Sequence, residues 1–211
     1  YQFVLQHQEK LFPQTPIVFF FFFFFSDAQI KGNQWITGVI EVVDMKKTIE
    51  LALGLHPQVK RIVVINDNTA VGKTNKLLLE KIIPDFSPAI QFSLFEDMTI
   101  GEVIEKTENL AQDTLILLMT FNVDRSSVIL SYEESGDLIS SHSSVPIYGT
   151  WDFYFGHGVV GGMMTSGHLQ GQRAAQLVER IIFGGEYPNQ IPVVTESINQ
   201  YMFDYNAMTK A

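Results

Sequence analysis

Residues 61–84 read RIVVINDNTAVGKTNKLLLEKIIP, and this stretch decides the fold. Its first six residues, Arg61 to Asn66, form a short, continuous apolar run of the kind that a parallel sheet buries on both faces. A polar loop, Asp67 to Gly72, follows. Leu77, Leu78, Ile82 and Ile83 then recur at helical spacing until Pro84 stops the helix. This is one complete βα unit, and the pattern repeats outward from it. Ile90, Phe92 and Leu94 alternate as a strand, and Thr99-Ile-Gly-Glu102 is a capping box opening a helix with Ile100, Val103, Ile104 and Thr107. Thr114 to Met119 is a third buried strand, with Thr120, Phe121, Asn122 and Asp124 in its loop and a helix carrying Val128, Ile129 and Tyr132 beyond. Val145 to Tyr148 is the fourth. Strands alternating with helices in this way pair in parallel through right-handed crossovers, so the fold class is α/β.

Upstream, Tyr1 to Leu11 reads as a short helix stopped by Pro13, and Thr15 to Phe19 as a buried strand. Seven consecutive phenylalanines, Phe19 to Phe25, then stand where a polar, glycine-containing binding loop is expected. Strand alternation would put several of these rings in water and favour aggregation, so the run reads as standing in for other residues. Gly38 to Val43 is the next strand, and Asp44 is a good N-cap for a helix with Met45, Ile49, Ala52 and Leu53 on one face. Downstream, a longer helix over about Gly167 to Phe183 turns Ala174, Ala175, Leu177, Val178, Ile181 and Ile182 inward. Pro192 to Val194 and Tyr201, Phe203, Tyr205 are two final extended pieces, the second alternating as an edge strand does.

The 211 residues carry a net charge of −9 and no cysteine. An acidic chain without a basic stripe is not built to neutralise phosphates, which argues against a nucleic-acid partner. Thiol chemistry and disulfides are excluded, and the absence of cysteine leaves the redox compartment open. The longest apolar run, Ile17 to Phe25, is far shorter than the roughly 20 residues a membrane span needs, and any signal peptide is expected to be removed or to lie upstream of Tyr1.

Candidate chemistry gathers just past the strand ends, where open α/β sheets bind ligands. Val145 to Gly162, VPIYGTWDFYFGHGVVGG, runs from a strand into a dense aromatic loop (Trp151, Phe153, Tyr154, Phe155) with one acid, Asp152, and ends in glycines that suggest a crossover between lobes. It reads as a ligand platform or as a loop whose aromatics pack into the core. Asp67, Asn68 and Thr69 offer hydrogen-bonding groups, Asp67 for a ligand amine, unless Asp67 or Thr69 merely caps the next helix. Asp67-Asn-Thr-Ala-Val-Gly-Lys-Thr74 imitates a phosphate loop, but a carboxylate stands where its first glycine is needed. Gly156-His-Gly-Val-Val-Gly161 matches the dinucleotide fingerprint literally in the wrong context, without the acid that should follow about twenty residues on. The five histidines have no ligand spacing, so neither a metal nor a cofactor is expected, and no catalytic set is legible. Glu96 and Asp97 read as solvated.

Taken together, Gly38-Val-Ile40, Ile65-Asn-Asp-Asn-Thr-Ala-Val-Gly72, Pro146-Ile-Tyr-Gly-Thr-Trp-Asp152, Gly158-Val-Val-Gly-Gly162 and Gln170-Gly-Gln-Arg-Ala-Ala175 resemble the ABC-transporter substrate-binding family of type I periplasmic-binding-protein fold. The similarity extends to versions that serve as extracytoplasmic sensor domains of bacterial histidine kinases or diguanylate cyclases. It implies two Rossmann-like lobes of parallel sheet flanked by helices, joined by crossovers and closing on a small molecule. In that scheme residues 1–38 end lobe one, 39–155 form lobe two, 156–192 return to lobe one and 193–211 return to lobe two. Lobe one lacks its usual first βα units. The implied lobe-two contacts are Asp67, Asn68, Thr69, Thr120, Phe121, Asp124, Tyr148, Trp151 and Asp152. Trp151 and Tyr148 would stack on the ligand while Asp67, Asp124 or Asp152 meets an amine, which favours a cationic or zwitterionic ligand. The implied role is a periplasmic or extracytoplasmic binding domain and not an enzyme, partnered by an attached kinase or cyclase module or, alternatively, a membrane-embedded transporter.

Overall fold

The computed structural model of the protein describes residues 2–22, 25–30 and 32–209. By packing, the chain divides into two units: Tyr1–Val42 with Gly167–Ile198, and Val43–Ser166 with Asn199–Ala211. Of the phenylalanine run, Phe23 and Phe24 lie outside the described residues.

In the smaller unit, helix α1 (Gln2–Leu11) precedes strand β1 (Ile17–Phe22), which pairs in parallel with β2 (Ile36–Ile40). Phe19 sits opposite Gly38, and a Cβ there would run into the Phe19 carbonyl and ring, so glycine is what lets these strands meet. Phe19 is buried while Phe20 is 47 % exposed, the alternation a strand imposes on a uniform run. Pro192 to Val194 makes only a bridge, Val39 to Val194, and not the strand expected. The long helix (Gly167–Ile182, α6 in chain order) packs on this sheet through Ala174 and Leu177, which join Val39 and Ile191 in a small core. Val178 and Ile182, expected inward, face solvent. The inward stripe is instead Gln170, Ala174, Leu177 and Ile181, at the i, i+4, i+7 spacing of one helix face.

The larger unit holds a six-stranded sheet with order β4-β3-β5-β6-β7-β8. Its strands are β3 (Arg61–Ile65), β4 (Gln91–Phe95), β5 (Thr114–Leu118), β6 (Ile147–Gly149), β7 (Gly161–Met164) and β8 (Gln200–Phe203). All neighbours pair in parallel except the edge strand β8, which is antiparallel to β7. Helices α2 (Met45–Leu55), α3 (Ala70–Ile82), α4 (Ile100–Glu108) and α5 (Tyr132–His142) flank it, and α7 (Tyr205–Met208) is a single turn after β8. β3 and β5 are buried almost throughout, as their unbroken apolar runs require. The core gathers Val63, Ile65, Ile116, Leu118, Ile139, Ile147, Tyr154 and Met164.

Several local expectations meet competing physics. The Thr99–Glu102 capping box forms, and a second one, Ser131–Glu134, opens α5. That later start leaves Val128 and Ile129 in an exposed loop, where Ile129 bridges Val123, and not in a helix. Asp44 precedes α2 but its side chain makes no capping bond: its oxygens take an ion pair from Lys47 and a hydrogen bond from Asn199 Nδ2, both at 2.9 Å. The glycines after the aromatic loop are not a crossover. Gly156 and Gly158 take φ of +83° and +88° to make the turn, and Gly161 and Gly162 lie in β7. The chain therefore passes between units at 42/43, 166/167 and 198/199, each later than the boundary implied by the resemblance.

Candidate functional site

The site of interest is the carboxyl edge of the larger unit's sheet. From β3 the chain moves to β4 on one side and then to β5 on the other, so the strand order reverses between β3 and β5. Loops diverge at such a switch point and leave a crevice. Asn66 to Thr69 leave the end of β3 and Met119 to Asp124 leave the end of β5, which brings Asp67, Asn68, Thr69, Thr120 and Phe121 together from two separate stretches.

Each of these side chains has a defined surrounding. Asp67 is buried, and Oδ1 accepts from the Thr69 amide at 3.1 Å and the Thr69 hydroxyl at 2.6 Å, while Oδ2 accepts from the Asn122 amide at 3.2 Å. Its own amide donates to the Thr120 carbonyl at 2.7 Å, locking the two loops together. Thr69 caps α3, its hydroxyl accepting from the Gly72 amide at 3.1 Å. Thr120 is buried in a polar string: Asn75 Nδ2 donates to its hydroxyl at 3.3 Å, the hydroxyl donates to Asn66 Oδ1 at 3.4 Å, and Asn66 Nδ2 donates to the Gly72 carbonyl at 2.8 Å. Phe121 is 1 % exposed and belongs to the main core. Asn68 is exposed. Asp124 is buried, accepting from the Val128 amide at 3.0 Å and the Ile100 amide at 3.2 Å, so it ties its own loop and the first turn of α4. Glu96, read as solvated, pairs with Lys76 of α3.

Tyr148 lies within β6 and not at its end. Its hydroxyl is 2.8 Å from His56 Nε2 at the end of α2, with the rings edge to face. Burial pushes the phenol up to about 12. Tyr154, in the aromatic loop, is fully buried, and burial raises its phenol as well.

At the carboxyl end of β6 the chain carries Trp151 and Asp152. Trp151 bridges Thr165, and the Asp152 amide donates to the Thr165 carbonyl at 3.1 Å, anchoring the start of the loop to the end of β7. Phe153 stacks between Trp151, with centroids 5.9 Å apart and planes at 14°, and Tyr132 of α5, at 4.1 Å and 22°. Tyr132 is the aromatic that sequence reasoning missed at this place. It opens a helix about twenty residues upstream, and nothing in its local pattern announces the partner. Asp152 is half-buried, and among the described residues no hydrogen bond or ion pair reaches its carboxylate. Of the three acids proposed for a ligand amine, it alone is uncommitted.

A mostly parallel α/β sheet flanked by helices, with its strand order reversing between β3 and β5, is the architecture this geometry defines, and solved structures share it. The fold is that of substrate-binding proteins. An ABC domain from Streptococcus pneumonia, in complex with L-Trp, matches with a TM-score of 0.63 and 16 % identity, covering 92 % of this chain and 66 % of that one. The ligand-free, open structure of a substrate binding protein with adhesive properties from Clostridium difficile matches at 0.65 and 16 %, covering 82 % and 57 %. A conserved domain protein from Vibrio cholerae matches at 0.58 and 18 %, covering 83 % and 57 %. The chain thus spans less than two thirds of the length of these structures. No protein-family model and no curated protein sequence matches it. Among the described residues no helix is long and apolar enough to cross a membrane, and no cluster of His, Asp and Glu could hold a metal ion.

Proposed function

We propose that the chain is a small-molecule-binding domain that takes a cationic or zwitterionic ligand at the carboxyl edge of the larger unit's sheet. The observation that carries this reading is Asp152, a half-buried carboxylate without a partner among the described residues, set beside the Trp151–Phe153–Tyr132 stack. An ammonium group there would gain a charge-assisted hydrogen bond and an aromatic face. Asn68, exposed at the switch point, adds a polar contact, and Asp67, Thr69 and Asp124 shape the loops around it. Binding without turnover is the expected behaviour.

An extracytoplasmic receptor delivering solute to a membrane-embedded transporter is favoured over a sensor with an attached kinase or cyclase module, because two of the structural neighbours are a substrate-binding protein and an ABC domain holding L-Trp. Calorimetry against amino acids, polyamines and small carboxylates tests the reading. Amines or zwitterions should bind, and Asp152→Asn should weaken binding about 10- to 100-fold, the scale of one hydrogen bond to a charged group. Equal affinity of Asp152→Asn and the wild type, or turnover of a bound compound, would sink it.

A further inference from the structure

Within the smaller unit, α6 and residues 192–196 flank a groove of about 380 Å³, lined by Arg173, Leu177 and Arg180 from the helix and by Val193, Thr195 and Glu196 from the facing segment. The three helical residues stand at i, i+4 and i+7, so one face of α6 makes the wall, and buried Leu177 is its floor. Of the chain's four arginines, Arg61, Arg125 and Arg180 are exposed and Arg173 alone is half-buried. Arg125 and Arg180 pair with acids, Glu102 and Glu186. Arg173 has no acid within ion-pair distance among the described residues, and its Nη1 donates to the neutral Gln176 Oε1 at 2.8 Å. A guanidinium partly withdrawn from water and left without a counter-charge carries a cost that an anion removes.

The facing wall supplies donors of its own. Val194 spends its main chain on β2: its amide donates to the Gly38 carbonyl at 2.9 Å and its carbonyl accepts from the Ile40 amide at 3.0 Å. Successive residues of an extended chain face opposite ways, so Val193 and Thr195 turn their amides away from β2, and among the described residues neither amide has a partner. We propose that this groove binds a small oxyanion, phosphate or the carboxylate of a small organic acid, with the Arg173 guanidinium and the Val193 and Thr195 amides as donors. Guanidinium and amide N–H groups donate and do not accept, so the set matches an oxygen anion and not an amine. The pairing along 192–196 is a single bridge, Val39 to Val194, which suits a compact group and not an added strand. Glu196 also lines the groove and repels an anion, so binding is weaker than the donors alone would give. The site lies wholly in the smaller unit and does not rest on the binding reading above.

The test titrates the full, isotope-labelled chain with sodium phosphate, acetate and succinate by NMR, at constant ionic strength on a chloride background. The Val193 and Thr195 amide resonances should shift saturably with at least one of the three, and whether phosphate or a carboxylate saturates at the lower concentration names the source. Arg173→Gln should weaken that binding about tenfold or more, since it removes charge-assisted hydrogen bonds, while melting without ligand within about 3 °C of wild type. Glu196→Gln should tighten it severalfold by removing the like charge. No saturable shift at Val193 and Thr195 with any of the three anions would overturn the inference. So would a shift that Arg173→Gln retains at full strength, which marks general screening and not a site.

Discussion

The loops that leave β3 and β5 and the loop that leaves β6 carry the same residue type at the same edge of one sheet, and use it in opposite ways. At the first place Asp67 and Asp124 spend their oxygens on backbone amides and a threonine hydroxyl, and the chain itself is their ligand. At the second, Asp152 keeps its carboxylate while only its backbone is tied. An acid near a strand end is therefore not a binding group by position. Its carboxylate stays uncommitted where the local backbone has been satisfied by other means, here by the bridge between Trp151 and Thr165.

The contrast can be broken most forcefully at Phe121. It is a core residue by packing, so Phe121→Ala should cost about 3–5 kcal/mol, seen as a fall in melting temperature of roughly 10 °C; an unchanged melting point with lost binding would return it to the ligand. Asp67→Ala strips three donors of their buried acceptor and should cost about 2–3 kcal/mol by chemical denaturation, far more than the same change at Asp152. Alkaline titration probes a different face. The Tyr148 phenol titrates near 12 in the folded chain against about 10 unfolded, so between those values the unfolded state has lost a proton that the folded state keeps. Stability should decline by roughly 2 kcal/mol as pH rises from 10 to 12, and Tyr148→Phe should flatten that part of the slope. Asp152→Asn should be the smallest in stability, within about 0.5 kcal/mol of wild type, while showing the largest loss of affinity.

The repeating βα units were legible because buried parallel strands leave continuous apolar runs and capping boxes leave a fixed spacing; β3, β5, α3 and α4 stand where those signals fall. Strand β7 was hidden because Gly161, Gly162, Met163 and Met164 have little strand propensity, and only pairing with β6 and β8 makes them one. The exposed face of α6 was misread because Val178 and Ile182 have the right spacing for burial and only tertiary packing chooses which apolar stripe goes in. At the candidate site, sequence placed these loops past the strand ends, where they lie, but did not give the surroundings of each acid. Whether a carboxylate is consumed by amides from another loop, as Asp67 is by Asn122, is a long-range fact that no local window contains. Tyr132 escaped for the same reason.

One consequence follows from the way the chain threads the two units. Strand β8, which covers the edge of β7, is made only after the whole of 167–198 has been synthesised for the other unit. At about 5–20 residues per second, translation leaves that sheet margin bare for a few seconds in every nascent copy. A ribosome pause within α6 would lengthen the exposure, and a bare apolar edge is a template for joining a neighbour. Codon choice across 167–198 should therefore alter how much of the chain is recovered soluble, even though it changes no amino acid.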